Sequence, residues 1–326
     1  MKKAIIYVFS GTGNTKLIAE LFKKYLTDYE TTIYSVRMNN ILENPPQIQE
    51  NTLILKKKNA KFAFYNVPSP NGADLIAFAN PVHGFNTPKA MYDFICLMPA
   101  LKNPVKTILL KTSGEGLGIN DYSSQKYLKI LSEKNYDVLC ERRFVMPYNM
   151  IFRHSPEMVK SEYWYADAYV RLTCEQLKND SFRENVKKNP LKYWFVPIVR
   201  ILWIYAKVQG PTMFASKKKC IKCGLCVKNC PLNNIKFDGK SYKFGTNCVL
   251  CVACSFNCPK KAISIGLLNG WRVNGSYKIE KTAQDSKIPF GAFGENLHGL
   301  KKWAYYKYFK NLENLLKENN IEIKTE

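Results

Sequence analysis

The sequence predicts an α/β chain: a doubly wound parallel sheet with helices on both faces, followed by a small cysteine-rich α+β module. Three observations carry that prediction. Short apolar, β-branched runs alternate with segments of helical periodicity through the first half of the chain. A glycine-rich loop, Ser10-Gly11-Thr12-Gly13-Asn14-Thr15, separates the first such run from the first helix. Two copies of one cysteine pattern then follow each other between residues 220 and 259.

The first strand is the run AIIYVF at 4–9, of the kind a parallel strand buried on both faces shows. Over 14–26, Leu17, Ile18, Leu21, Phe22 and Leu26 recur at three- and four-residue steps and predict an amphipathic helix. Further strands are predicted at 31–36, 75–79, 107–110 and 138–145, with helices between them at 88–98 and 121–133. Residues 39–73, with Pro45-Pro46, three lysines at 56–58 and the turn-rich SPNG, break this rhythm and predict an insertion or extra hairpin. A long helix is predicted over 156–177, with Tyr163, Trp164, Tyr165 and Tyr169 as packing residues, and a terminal helix over 300–319.

At 326 residues the chain is long enough for about two domains. The N-terminal apolar run is too short for a secretory core and ends at Ser10-Gly11, so a cytoplasmic location is expected. The stretch YWFVPIVRILWIYAKV at 193–208 contains Pro197, Arg200 and Lys207 and predicts a buried or interfacial linker helix, not a membrane span. The formal net charge is +23, and between Glu184 and Glu280 the only acidic residue is Asp238. Such a basic surface attracts acidic partners with strong salt dependence.

Eight of the eleven cysteines form two runs of C-x2-C-x2-C-x3-C-P: Cys220, Cys223, Cys226 and Cys230, then Cys248, Cys251, Cys254 and Cys258. A secreted disulfide framework would not cluster them so densely. Paired C-x2-C units also suit zinc, but four cysteines per run, the three-residue gap and the duplication favour iron–sulfur ligation. Over 215–268 the chain resembles bacterial-type two-[4Fe–4S] ferredoxins. That resemblance implies two clusters with crossed ligands: Cys220, Cys223, Cys226 and Cys258 for the first, and Cys248, Cys251, Cys254 and Cys230 for the second. Cys96, Cys140 and Cys174 stand apart and are read as buried free thiols.

The loop at 10–15 offers hydroxyls from Ser10, Thr12 and Thr15, backbone N–H groups and a helix N-terminus to an anion. It contains no lysine and matches neither a P-loop nor a dinucleotide fingerprint. Two more loops follow predicted strands: Asn80-Pro81-Val82-His83-Gly84-Phe85-Asn86, and Thr112-Ser113-Gly114 with Gly116. Ligands of doubly wound sheets bind beyond the carboxyl ends of strands, where these loops converge. The first loop is similar to the flavodoxin phosphate loop. Residues 1–150 thus resemble a flavodoxin-like domain, which implies FMN with its ring held by the second and third loops and His83 and Phe85 as stacking candidates. The usual tryptophan and tyrosine around the ring, and the usual acidic loops, are not evident.

The two parts together resemble flavodoxin–ferredoxin fusion proteins of anaerobic bacteria. The resemblance implies a flavodoxin-like domain at 1–150, a helical linker at 151–214, a two-cluster module at 215–268 and a C-terminal extension at 269–326. The function expected is electron transfer between FMN, the clusters and an external acidic redox protein. The alternative is a flavin-dependent reductase of a small substrate, with His83 or Tyr148 as donor. Binding of nucleic acid is not expected, because the lysines lie among the ligand loops without an aromatic stacking platform.

Overall fold

The computed structural model describes residues 1–40, 47–58, 62–184, 186, 201–291, 293 and 297–324. In chain order its elements begin β1 (Lys2–Val8), α1 (Asn14–Tyr25), β2 (Tyr29–Ser35), β3 (Asn39–Asn40), β4 (Thr52–Leu55), β5 (Phe62–Pro68) and β6 (Leu75–Pro81). They continue with α2 (Lys89–Leu97), β7 (Val105–Ser113), α3 (Gln125–Glu133), β8 (Tyr136–Val145), α4 (Pro156–Leu177), α5 (Ile201–Thr212) and β9 (Phe214–Ala215). The last are α6 (Leu225–Lys228), β10 (Ile235–Phe237), β11 (Tyr242–Phe244), α7 (Ala253–Phe256), β12 (Ile263–Ser264), α8 (Ile279–Gln284) and α9 (Gly299–Glu318).

Five strands form a parallel sheet in the order β2-β1-β6-β7-β8. Counting parallel strands alone, this is the flavodoxin-like order 2-1-3-4-5, whose switch point lies between the first and third strands. The period of two sorts the side chains. Ala4, Ile6 and Val8 pack with α1 and α4, while Ile5, Tyr7 and Phe9 pack with α2 and α3. Burying each large apolar side chain in these layers stabilises by about 1.5–3 kcal/mol.

Within 39–73, β3, β5 and β4 form a separate antiparallel sheet in that order. Its Leu55, Phe64 and Val67 extend the α2/α3 layer, to which the cysteine module adds Leu232. The module is built on a duplicated backbone. Residues at positive φ repeat with the offset of the cysteine runs: Lys222 and Leu250, Gly224 and Val252, Asn233 and Lys261.

Two expected domain boundaries are corrected. The sheet domain does not end at 150, and residues 151–177 are not linker: α4, capped by Ser155 Oγ accepting the Met158 N–H, buries Trp164, Ala166 and Val170 in the sheet's own core. A parallel sheet needs both faces covered, and α4 covers one of them beside α1. In the tail, α8 and α9 likewise pack on this domain. Trp164 Nε1 donates to Ala283 O at 3.1 Å, and Tyr305, Phe309, Leu312 and Leu316 of α9 pack on α4. Tyr163, Trp164, Tyr165 and Tyr169 pack in these layers, and Cys140 and Cys174 are buried with them.

Within the expected linker, 185 and 187–200 lie outside the described residues. α5 buries Ala206 and Gln209 against the module and leaves Ile201, Ile204 and Val208 exposed. Among the described residues no helix is long and apolar enough to cross a membrane.

Candidate functional site

The chain leaves β1 at its carboxyl end with Phe9 N–H donating to Ala79 O, then turns into α1. Gly13 caps the helix at φ 112°, a conformation costly to any residue with a Cβ. Ser10 Oγ accepts from the N–H groups of Gly13 and Lys16, both at 3.3 Å. The N–H groups of the first helical turn have no intrahelical acceptor, so the loop presents donors and a partial positive charge.

The neighbouring loops are tied to it. Thr15 Oγ1 and Thr112 Oγ1 share a buried hydrogen bond of 2.7 Å, and Asn14 Nδ2 donates to Pro147 O at 2.8 Å. Val82 N–H donates to Thr112 O at 2.7 Å. The loop after β7 is braced from below by buried cations. Lys111 Nζ lies 2.7 Å from a Glu141 oxygen, and Arg143 Nε donates to Asp121 at 2.5 Å. Arg143 also reaches Ser113 Oγ and Glu115 O.

A cleft of about 60 Å³ opens where the loops meet. Of the residues predicted from sequence, Ser10, Gly11, Thr12, Asn14, Thr15, Pro81, Val82, His83, Thr112, Ser113 and Gly114 line it. Gly13 stands at its edge as the helix cap. Asn80 is buried behind it, with Nδ2 on Pro81 O and Oδ1 unpartnered.

Gly84, Phe85, Asn86 and Gly116 are not among the lining residues of this cleft. His83-Gly84-Phe85-Asn86 closes a tight turn with Gly84 and Phe85 at φ 51° and 62°, and Phe85 faces solvent. Gly116 packs against α9, where an added Cβ would stand 2.3 Å from Ala304 O. Pro147, Tyr148 and Asn149, after β8, complete the cleft. The same rule that singled out the other loops, position beyond a parallel strand's carboxyl end, applies to them.

A second cavity, of about 430 Å³, adjoins the first and shares Val82, His83, Tyr148 and Asn149 with it. Its size lies in the range of small-molecule sites. One wall comes from β5 and α2 through Phe62, Phe64 and Ala90; the other is Cys248, Val249 and Leu250 of the module. His83 Nδ1 lies 3.2 Å from Val249 O, and burial pushes its pKa down to about 4, so the ring is neutral at pH 7.

The eight cysteines of the repeat gather in two sets. Cys220, Cys223 and Cys226 share a small cavity with the distant Cys258. Cys230 in turn lies close enough to Cys248, Cys251 and Cys254 to act on each electrostatically. Backbone N–H groups aim at three of the sulfurs: Asn234 at Cys230 Sγ, Leu250 at Cys248 Sγ and Ala262 at Cys258 Sγ, at 3.2–3.3 Å. Such donors stabilise anionic sulfur.

The sheet domain and the module meet at the glycine-rich loop. A Cβ added to Gly11 would stand 2.7 Å from Cys251 Cβ and 3.2 Å from its sulfur. Asn149 Nδ2 bridges Thr12 Oγ1 and Cys251 O at 3.3 and 3.4 Å.

Comparisons with known proteins address the two parts separately. Residues 216–236 match the family described as 4Fe-4S binding domain, a span that holds Cys220, Cys223, Cys226 and Cys230. No protein among the curated ones matches the chain in sequence. Solved structures resemble it at low identity. A flavodoxin from the domain Archaea is 13% identical, with a TM-score of 0.33 over 55% of this chain and 100% of its own. An NAD(P)H:quinone oxidoreductase from Methanothermobacter marburgensis is 9% identical, with a TM-score of 0.33 over 55% and 98%. A flavoprotein in complex with FMN from Lactobacillus acidophilus is 18% identical, with a TM-score of 0.27 over 44% and 92%. The strand order carries the fold assignment independently of them: the chain joins a flavodoxin-like sheet domain to a 4Fe-4S binding segment.

Proposed function

We propose that this chain is an electron-transfer protein that holds FMN in its sheet domain and two [4Fe–4S] clusters in its cysteine module. The single observation that carries the reading is the approach of Gly11 to Cys251, which sets the anion loop in van der Waals contact with the second cysteine set. Bound there, FMN would exchange electrons in pairs or singly and the clusters singly.

The residues present fit both groups. For a phosphate, the loop supplies the Ser10, Thr12 and Thr15 hydroxyls and the first N–H groups of α1, with Gly13 keeping its side free of any Cβ contact. For the ring, the adjoining cavity supplies apolar walls, with His83 and Tyr148 at the junction of the two spaces. For the clusters, Cys220, Cys223, Cys226 and Cys258 would hold one, and Cys230, Cys248, Cys251 and Cys254 the other. Asn149 ties the loop to the backbone of Cys251 and fixes the spacing of the two parts. One chain makes the exchange intramolecular, so its rate depends on this geometry and not on concentration.

A second reading has its own observation. His83 and Tyr148 both face the larger cavity, as a reductase acting on a small substrate would require. Anaerobic purification with iron and flavin quantitation, followed by stepwise reductive titration, tests the first. About eight irons and one FMN per chain, reduced in communicating steps, are expected; eight irons without FMN refutes the coupled mechanism. Rapid reoxidation by a small acceptor, slowed by filling the cavity with Ala90→Trp, would favour the reductase.

A further inference from the structure

We propose that electrons enter and leave this chain through the face around Cys223, and that this face docks an acidic one-electron carrier protein. The inference rests on the reading of the cysteine module given above. Of the eleven cysteines, Cys223 alone is exposed. The second set is half-buried and abuts its neighbours: Gly11 packs on Cys251, and a Cβ on Gly210 of α5 would stand 2.9 Å from Cys248 Cβ. The two sets are therefore not equivalent. One touches the sheet domain through Cys251, and the other presents Cys223 to solvent.

The surface around Cys223 has the anatomy of a transient interface. Ile221, Leu225 and Phe237 are 57%, 38% and 44% exposed. They are contiguous: Ile221, Leu225 and Tyr242 line the cavity that Cys223 shares, and the Phe237 and Tyr242 rings are 4.7 Å apart. Tyr242 OH accepts the Gly224 N–H at 3.0 Å, which pins this ring beside the cysteine loop. Single exposed apolar residues need no explanation, but a contiguous group around a redox ligand does.

The rim is cationic. Lys217, Lys218, Lys219, Lys222 and Lys260 are all exposed. The one acidic residue of the region, Asp238, is engaged by the N–H groups of Lys240 and Ser241 and by Lys243. An apolar centre excludes water and a charged rim steers encounter, which suits a partner of opposite charge that binds briefly. The exchange is one electron: one centre is oxidised as the partner's is reduced, and no bond forms or breaks.

The test uses the full chain with its clusters assembled, and a purified acidic two-[4Fe–4S] ferredoxin as probe. The bimolecular electron-transfer rate is followed by stopped flow from about 0.05 to about 0.5 M salt, where screening shortens from roughly 14 to roughly 4 Å. The rate is expected to fall about tenfold over that range. Reversal of the rim, Lys218→Glu with Lys219→Glu and Lys260→Glu, should lower the low-salt rate at least about tenfold and flatten its salt dependence. Ile221→Asp should lower it at both salt levels. Lys23→Glu with Lys24→Glu, on α1 and thus on the sheet face away from the module, should change little.

Salt-independent rates, or equal effects of the two reversals, overturn the proposal. So does duplex DNA binding that the rim reversal abolishes while leaving the ferredoxin rate intact. Iron content and dithionite titration of the same variants separate the two levels. Missing clusters refute the underlying reading, whereas normal internal reduction with an unaffected bimolecular rate refutes only the docking face.

Discussion

Gly11→Ala is the most informative single perturbation, because it acts where the two parts of the chain touch. An added Cβ would lie 2.7 Å from Cys251 Cβ, 3.2 Å from its carbonyl oxygen and 3.2 Å from its sulfur. Optimal carbon–carbon contact is about 3.5–4.0 Å, so loop and module must part by roughly 0.8 Å or more. Cys251 is not a long side chain that can swing away, and if it ligates a cluster its sulfur is fixed as well. Separation also stretches the Asn149 bridge, already at 3.3 and 3.4 Å, past useful length. Overpacking of this kind costs about 1–3 kcal/mol. With a urea slope of about 2 kcal/mol/M, loss of cluster absorbance should move to lower urea by roughly 0.5–1.5 M. Gly270→Ala is the control, since its Cβ would meet nothing within 4 Å. If Gly11→Ala and Gly270→Ala keep the same midpoint as the parent chain, the loop and Cys251 are not in contact and the coupling argument falls.

The remaining predictions concern single groups. Thr15→Val removes one partner of the buried 2.7 Å hydroxyl pair and leaves Thr112 unsatisfied, at a cost of about 1–3 kcal/mol by chemical denaturation, while Thr15→Ser should restore most of it. The same Thr15→Val change should weaken FMN binding about tenfold by fluorescence titration; unchanged affinity would remove Thr15 from the site. Cys226→Ala and Cys258→Ala should abolish the same cluster signal in paramagnetic resonance, leaving about four irons per chain, whereas Cys230→Ala should abolish the other. Loss of one shared signal from Cys230→Ala and Cys226→Ala would refute the crossed arrangement. His83 has a folded pKa near 4, below the ordinary histidine value, so the folded state resists its protonation. Its contribution to stability is full above about pH 6.5 and is lost as pH falls through about 4. The parent chain should therefore lose stability over that window more steeply than His83→Gln, by thermal melts at fixed ionic strength.

Local chemistry made much of the fold legible. The run at 4–9 reads as a strand buried on both faces because its alternate residues serve two layers, Ile6 one and Tyr7 the other. The helices at 14–26, 88–98 and 156–177 carried their periodicity openly, and α4 added a serine cap followed by proline. The cysteine repeat is equally local, since spacing alone sets four evenly placed cysteines on one short segment apart from scattered thiols. Its duplication even reaches the backbone, in positive-φ residues that recur at the same offset.

What sequence did not disclose is long-range. Gly116 reads as a loop glycine beside a ligand, yet α9, nearly two hundred residues later, takes the space a side chain would occupy. Phe85 reads as a ring to stack, yet a two-residue turn at positive φ sends it to solvent. Asn149 carries no motif, and Tyr148 enters the sequence reading only as a candidate donor; both line the cleft because parallel strands bring every carboxyl-end loop to one edge. The sequence by itself determined which loop offers hydroxyls and N–H groups beside a helix start and which segments carry evenly spaced thiols, because those features belong to loops of a few residues. Only the tertiary structure decided that Gly11 lies on Cys251 and that Cys223 faces outward, because contacts across 240 positions arise from how layers pack and leave no local trace.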